Sequence, residues 1–100
     1  MKIALLGYGK MGKSIEKIAV SRGHEIVAIS DSENQKPDLS SADVAINFSI
    51  PSAAFENIGW AFENKVPVVS GTTGWLQDYD KAVALCKKND SAFIYASNFS

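Results

Sequence analysis

Disulfides and metal clusters are the features that this sequence is least equipped to form. Its 100 residues include one cysteine, Cys86, and one histidine, His24. A single cysteine excludes an internal disulfide, and neither residue has neighbours at the spacing of metal ligands. We therefore expect no metal site and a reducing compartment, the cytoplasm.

A large charge of one sign and a long hydrophobic run are also missing. Ten basic and eleven acidic residues give a formal net charge of -1, which provides no long-range attraction for nucleic acid or anionic membranes. No apolar run reaches the roughly 20 residues of a membrane span. The sequence starts directly with a predicted strand, without the pattern of a signal peptide. We expect no nucleic-acid partner, no membrane partner and no export.

The residues that are present predict one α/β domain over positions 1–100. Hydrophobic residues make up 46% of the sequence and charged residues 21%, which is ordinary for a globular domain. Apolar segments of strand type alternate with segments of helical period. The predicted strands are 2–6, 24–30, 43–48, 66–70 and 92–96, and the predicted helices are 10–22, 51–64 and 78–88. This order favours a doubly wound, Rossmann-type parallel sheet of about five strands with helices on both faces.

Three packing predictions follow from the same patterns. Met11, Ile15, Ile18 and Ala19 recur at helical spacing, so they should form the face of the first helix that packs on the sheet. The polar segment 32–41 should be a surface crossover with at most one helical turn. Trp75 follows a glycine-rich loop, where we expect it to shield a cleft.

The first strand leads into the turn Gly7-Tyr8-Gly9-Lys10-Met11-Gly12, which has the spacing G-x-G-x-x-G. In a dinucleotide-binding turn, Gly7 allows the tight turn, Gly9 lets the backbone approach a pyrophosphate, and Gly12 lets the helix pack closely. The N–H groups of the first helical turn are then available to an anion. Asp31 directly follows the second predicted strand, at the position where an acidic residue binds a ribose.

Unusual segments follow each predicted strand. Ligands of doubly wound sheets bind outside the carboxyl ends of the strands. We therefore expect one shared edge to bring together the glycine turn, Asp31, Phe48-Ser49, Gly71-Thr72-Thr73-Gly74 and Ser97-Asn98-Phe99.

Taken together, the glycine turn, Asn47-Phe48-Ser49, Gly71-Thr72-Thr73-Gly74 and Ala96-Ser97-Asn98-Phe99-Ser100 closely resemble the amino-terminal domain of the dihydrodipicolinate reductase (4-hydroxy-tetrahydrodipicolinate reductase) family. The resemblance covers the whole chain. It implies a reductase that converts 4-hydroxy-tetrahydrodipicolinate to tetrahydrodipicolinate with NADH or NADPH in lysine and diaminopimelate biosynthesis.

The resemblance also implies roles for individual residues. Thr73 would touch the substrate as well as the cofactor. The implied cofactor contacts are Gly7, Gly9, Lys10, Met11 and Gly12 around the pyrophosphate, Asp31 at the adenine ribose, and Phe48, Ser49, Gly71, Thr72, Thr73, Ser97, Asn98 and Phe99 on the nicotinamide side.

Two departures from the family pattern matter. Many members carry a longer turn, G-x-x-G-[RK]-M-G, so individual phosphate contacts can shift by one residue. The family's H-H-x-x-K-x-D-x-P-S-G-T segment belongs to a carboxyl-terminal domain and is absent here, so no catalytic residue is assigned. We expect this polypeptide to bind a dinucleotide without turnover, and to form homo-oligomers only with the missing domain.

Other interpretations stay open beside these. Asp31 could be a simple turn residue, Thr72 and Thr73 could cap a helix, and Phe48 and Phe99 could belong to the core. As a whole, the chain could be a regulatory NAD(H)-binding module without catalysis.

The choice between the two cofactors depends on Asp31. A carboxylate accepts hydrogen bonds from ribose hydroxyls but repels a 2′-phosphate, so we favour NADH. NADPH stays open because Lys36 could approach from the crossover.

Overall fold

The computed structural model describes residues 1–31, 33–72 and 74–95 and contains five strands and three α-helices within them. The element order predicted from the sequence is confirmed. A short 3-10 turn at Leu76–Asp78 leads into the last helix. The elements are β1 (Lys2–Leu6), α1 (Lys10–Ser21), β2 (Glu25–Ser30), β3 (Val44–Asn47), α2 (Pro51–Glu63), β4 (Val68–Ser70), α3 (Tyr79–Lys88) and β5 (Phe93–Tyr95).

All neighbouring strands are parallel, in the order β2-β1-β3-β4-β5, as a doubly wound sheet requires. Side chains of β1 alternate between the two faces of this sheet. Ala4 and Leu6 join the larger core beneath α2 and α3, whereas Ile3 and Leu5 join a smaller cluster with Ala19 of α1. Helices therefore cover both faces, and the predicted fold class is confirmed.

The predicted buried face of α1 is partly wrong. Met11 is 38% exposed and Ile18 54% exposed, whereas Gly12 and Ala19 are the buried residues of this helix. A Cβ on Gly12 would lie 2.5 Å from the carbonyl oxygen of Gly7. This close contact with the turn sets the rotation of the helix, so the face with the small residues meets the sheet.

The crossover before β3 contains no helix among residues 33–41, within the prediction of at most one helical turn, but it is not wholly a surface segment. Leu39 is fully buried in the larger core. The indole Nε1 of Trp60 on α2 donates a hydrogen bond to the carbonyl oxygen of Pro37 at 2.8 Å. The Leu39 side chain and the Trp60 hydrogen bond both anchor this polar segment to the rest of the domain, and neither has a periodic signature in the sequence.

Trp75 does not shield a cleft, contrary to the prediction. It is 1% exposed, and its ring centroid lies 5.6 to 6.1 Å from those of Tyr79, Phe93 and Tyr95. Its Nε1 donates to the carbonyl oxygen of Thr72 at 2.7 Å. A large ring whose one polar atom is satisfied is more stable in the core than in water, and here it anchors the loop after β4 from below.

Candidate functional site

The loops that follow β1 to β4 meet at one edge of the sheet. Backbone hydrogen bonds continue the strand pairing by one residue, from the first residue after β1, β3 and β4 to the last residue of a neighbouring strand. These bonds run from Gly7 N–H to Ser30 C=O (2.9 Å), from Phe48 N–H to Leu6 C=O (3.0 Å) and from Gly71 N–H to Asn47 C=O (2.9 Å). The loop after β5 lies outside the described residues, so the convergence holds for four of the five predicted segments.

A cleft of about 590 Å³ opens at this edge, between the glycine turn, the crossover and the start of α2. Five of the predicted site residues line it: Gly7, Gly9, Asp31, Phe48 and Ser49. Lys10, Met11 and Gly12 lie in the adjoining first turn of α1, whereas Gly71 and Thr72 lie at the same edge without lining the cleft. Thr73, Ser97, Asn98 and Phe99 lie outside the described residues.

Most of the lining residues that α2 and the crossover supply were not predicted from the sequence. A usable signal existed for α2, because a helix that begins directly after a strand must turn its first residues toward the shared edge. No comparable signal marks the contribution of the crossover, apart from the suggestion that Lys36 approaches. The additional lining residues are Tyr8, Ser30, Gln35, Lys36, Ile50, Ser52, Ala53, Glu56 and Asn57.

Gly7 and Gly9 have different roles in the turn. Gly7 has φ of +104°, and a Cβ there would lie 2.7 Å from Ser49 Cα, so no other residue fits. Gly9 has an ordinary φ of -84°, and a Cβ there would meet nothing within 4 Å. Gly7 therefore joins the β1 loop to the β3 loop, whereas Gly9 leaves its surface open to the cleft.

The first turn of α1 offers unbonded N–H groups beside this opening. The first helical hydrogen bond is from Lys13 N–H to Gly9 C=O, so the N–H groups of the preceding three residues have no acceptor within the helix. Among the described residues no side chain caps this end, and no acidic residue occupies its first turn. The positive end of the helix dipole, with Lys10 and Lys13 nearby, favours an anion at this position.

Tyr8, at the mouth of the cleft, is held from α1. Its hydroxyl donates a hydrogen bond to Glu16 Oε1 at 2.5 Å, and Lys13 Nζ lies 5.6 Å from its ring centroid. The hydrogen bond to the Glu16 carboxylate, with some burial and the negative charge of Glu16, raises the pKa of Tyr8 above its ordinary value. The phenol is therefore neutral at physiological pH.

Asp31 is exposed and serves both as a turn residue and as a lining residue. Its Oδ1 accepts hydrogen bonds from the N–H groups of Glu33 and Asn34, each at 2.9 Å. Within the described part of the chain, Oδ2 has no hydrogen-bond partner and is available to a ligand. Lys36 Nζ, on the same side of the cleft, lies 5.4 Å from the ring centroid of Trp60.

The opposite side of the edge carries a buried polar network. Asn47 Nδ2 donates to Ser70 Oγ at 3.0 Å and to Thr72 Oγ1 at 3.3 Å, and Asn47 Oδ1 accepts from Ser49 Oγ at 2.7 Å. Thr72 Oγ1 in turn donates to the carbonyl oxygen of Ser49 at 2.9 Å. The Thr72 hydroxyl therefore does not cap a helix, contrary to one interpretation of the sequence. Asn47 and Ser70 were missed, although a polar residue at the last position of an apolar strand was a usable signal.

Two features are absent from the described residues. No helix there is long and apolar enough to cross a membrane. Residues 1–31, 33–72 and 74–95 also contain no group of three or more His, Cys, Asp or Glu side chains that could hold a metal ion.

Comparisons with known proteins agree with this geometry. The family described as "Dihydrodipicolinate reductase, N-terminus" matches residues 1–99. The chain is 60% identical over 102 aligned positions to a 4-hydroxy-tetrahydrodipicolinate reductase of Christiangramia forsetii, with 100% of this chain and 43% of that protein covered. It is 33% identical to the enzyme of the same name from Staphylococcus aureus (strain MRSA252), with 97% and 44% covered. The chain therefore spans less than half the length of these relatives.

Solved structures share the fold at low sequence identity. A putative homoserine dehydrogenase from Archaeoglobus fulgidus superposes with a TM-score of 0.74 at 16% identity, covering 95% of this chain and 42% of that one. A hyperthermophilic archaeal homoserine dehydrogenase in complex with NADPH gives a TM-score of 0.68 at 15% identity, covering 96% and 43%. At these identities the likeness shows the fold alone.

Proposed function

Since this chain belongs to the dihydrodipicolinate reductase family, we propose that it is the dinucleotide-binding domain of a reductase. The whole enzyme would reduce 4-hydroxy-tetrahydrodipicolinate to tetrahydrodipicolinate with NADH or NADPH, in the synthesis of diaminopimelate and lysine. A further domain would supply the catalytic acid and the groups that hold the dicarboxylate. This chain by itself would bind the dinucleotide without turnover.

One observation carries the proposal: an open glycine and a carboxylate oxygen without a partner in the described chain line one cleft, and the uncapped start of α1 adjoins it. The N–H groups at the start of α1 would hold the pyrophosphate, and the absence of a Cβ on Gly9 leaves room for it. Asp31 Oδ2 would accept hydrogen bonds from the hydroxyls of the adenine ribose.

The nicotinamide half would lie toward β3 and β4. Phe48 and Ser49 line the cleft on that side, and Gly71 and Thr72 follow β4 at the same edge. By resemblance to the family, we assign Thr73, Ser97, Asn98 and Phe99 to the same half, with Thr73 also touching the substrate. When bound, the dihydronicotinamide supplies the hydride for the reduction.

Titration of the chain with NADH by calorimetry tests the proposal. Lys10→Gln removes a positive charge from the first turn of α1, whereas Lys17→Gln removes one from the same helix almost two turns later. Both lysines are exposed, so neither change should alter folding. We expect Lys10→Gln to weaken binding about 3- to 10-fold, because a charge beside the pyrophosphate contributes on the order of 1 kcal/mol. Lys17→Gln should bind as the wild type does.

Failure of the folded wild-type chain to bind either NADH or NADPH would overturn the proposal. If Lys10→Gln and Lys17→Gln weakened NADH binding equally, the pyrophosphate would not bind at the start of α1.

For the cofactor preference, we propose NADH over NADPH on the basis of the Asp31 carboxylate. Asp31→Asn keeps an Oδ1 acceptor for the N–H groups of Glu33 and Asn34 while removing the charge. Two unit charges 4 Å apart repel by about 1 kcal/mol in water, so the NADPH-to-NADH affinity ratio should rise about 5-fold in the variant. An unchanged ratio would show that Asp31 does not face the 2′ position.

A further inference from the structure

The last residues of β3 and β4 are polar, although these strands lie in the centre of an apolar sheet. Asn47 and Ser70 are both 0% exposed. Burying an amide without partners costs several kcal/mol in an apolar environment, so such a residue persists only where its hydrogen bonds are made. Asn47 meets this condition, because both its amide nitrogen and its amide oxygen are bonded.

The direction of each hydrogen bond makes Asn47 the centre of the network. Its two N–H donors go to the hydroxyls of Ser70 and Thr72, and its oxygen accepts from Ser49. Only a side chain with both a donor group and an acceptor group can make this set. The amide of Asn47 thus joins the loop after β3 to the loop after β4.

The network also fixes the backbone that faces the cleft. Thr72 is 6% exposed, and its hydroxyl donates to the carbonyl oxygen of Ser49. Ser49 lines the cleft, whereas Thr72 does not. Since the hydroxyl of Thr72 is directed into the network, its effect on a ligand passes through Ser49.

We propose that Asn47 is a positioning residue for the nicotinamide half of the site, holding Ser49 and Thr72 at a fixed separation so that the two loops present one preformed surface. This inference rests on the proposed function. It differs from the family resemblance, which implies that Thr72 contacts the cofactor directly and assigns no role to Asn47.

A purely structural role of Asn47 and a positioning role predict different effects on two ligands. The adenylate half of the cleft is formed by Gly9 and Asp31, which make no hydrogen bond to the network in the described chain. Loosening the network should therefore weaken the binding of a ligand that carries nicotinamide and leave the binding of a ligand without nicotinamide unchanged. ADP-ribose is the matched probe, because it retains the adenosine and the pyrophosphate of NADH.

The test is calorimetric titration of the folded chain with NADH and with ADP-ribose. Asn47→Ala removes the centre of the network, Thr72→Val removes one hydroxyl at nearly constant shape, and Thr72→Ser retains that hydroxyl. We expect Asn47→Ala and Thr72→Val to weaken NADH binding about 5-fold or more, on the scale of one lost hydrogen bond, while ADP-ribose binding stays within about 2-fold. Thr72→Ser should restore most of the NADH affinity.

Equal loss for both ligands, or no loss for either, would overturn the positioning role while leaving dinucleotide binding intact. A wild-type chain that binds neither ligand would overturn the proposed function and this inference together. If Asn47→Ala fails to fold, the pair Thr72→Val and Thr72→Ser decides the question, because neither creates a large cavity.

Discussion

The two sides of the cleft hold their polar groups in opposite ways. On the β2 side, Asp31 is exposed, and within the described chain its carboxylate accepts hydrogen bonds only from nearby backbone N–H groups. On the β3 and β4 side, Asn47 and Ser70 are fully buried, and the bonds from Asn47 to Ser70 and Thr72 join residues more than 20 positions apart. One side is held by local turn chemistry and the other by tertiary contacts.

This difference indicates which side can change without loss of the fold. An exposed carboxylate on a turn is screened by water and can be replaced at little cost in stability. A buried amide leaves several partners unsatisfied when it is removed. Changes at Asp31 should therefore leave the fold intact, whereas changes at Asn47 should destabilise it.

The largest effect is expected where the two sides join, at Gly7. Gly7→Ala would place a Cβ 2.7 Å from Ser49 Cα in a backbone with φ of +104°. Backbone strain alone costs about 1 to 3 kcal/mol, and the steric overlap adds to it, so we expect a loss of about 3 kcal/mol or more in the free energy of unfolding. Urea denaturation measures the loss.

Gly9→Ala is the matched control for this prediction. The added Cβ meets nothing within 4 Å, and φ is -84°, so only a weaker start to α1 remains as a cost, at most about 1 kcal/mol. Similar losses for the two variants would show that the β1 and β3 loops are not in close contact.

An effect of intermediate size is expected from a direct comparison of Asn47→Ala on the β3 and β4 side with Asp31→Ala on the β2 side. Asn47→Ala leaves three hydroxyl groups without their amide partner, so we expect a loss of about 3 kcal/mol in the free energy of unfolding. Asp31→Ala removes the side-chain acceptor of two backbone N–H groups at an exposed turn and should cost about 0.5 kcal/mol. Urea denaturation of both variants tests the comparison, and equal losses would contradict it.

The smallest expected effect concerns the titration of Tyr8, which follows β1 and lines the cleft. Its bond to Glu16 stabilises the protonated phenol, so Tyr8 should ionise above 10.0, the ordinary pKa of tyrosine. Ultraviolet difference titration of the wild type against Tyr8→Phe isolates this group. Glu16→Gln should move the pKa of Tyr8 back toward 10.0, because an amide carries no charge.

The sign of the coupling to stability follows from the raised pKa. The contribution of the protonated Tyr8 phenol to folding stability is fully present below the ordinary pKa of tyrosine. It is lost as the pH rises through the higher pKa of Tyr8 in the folded state. A phenol that ionises below its ordinary value would contradict the hydrogen bond.

Local sequence was sufficient to predict much of the site. It predicted little of the buried network and of the packing that hold the site in place. The roles of Gly7, Gly9 and Gly12 follow from the G-x-G-x-x-G spacing, because each depends on the absence of a side chain. By contrast, Asn47 and Ser70 come together only when β3 and β4 pair in register. The cleft lining from α2 and the crossover likewise depends on packing between segments far apart in the sequence.

The sequence by itself determined the parallel α/β order, the glycine turn and the position of Asp31, because strand and helix periods and turn residues act over a few neighbouring positions. Tertiary structure decided the exposure of Met11 and Ile18 on α1, the burial of Leu39 and Trp75, and the hydrogen bonds of Asn47. These features depend on close packing and on the pairing of buried polar groups, which distant segments satisfy only after they meet.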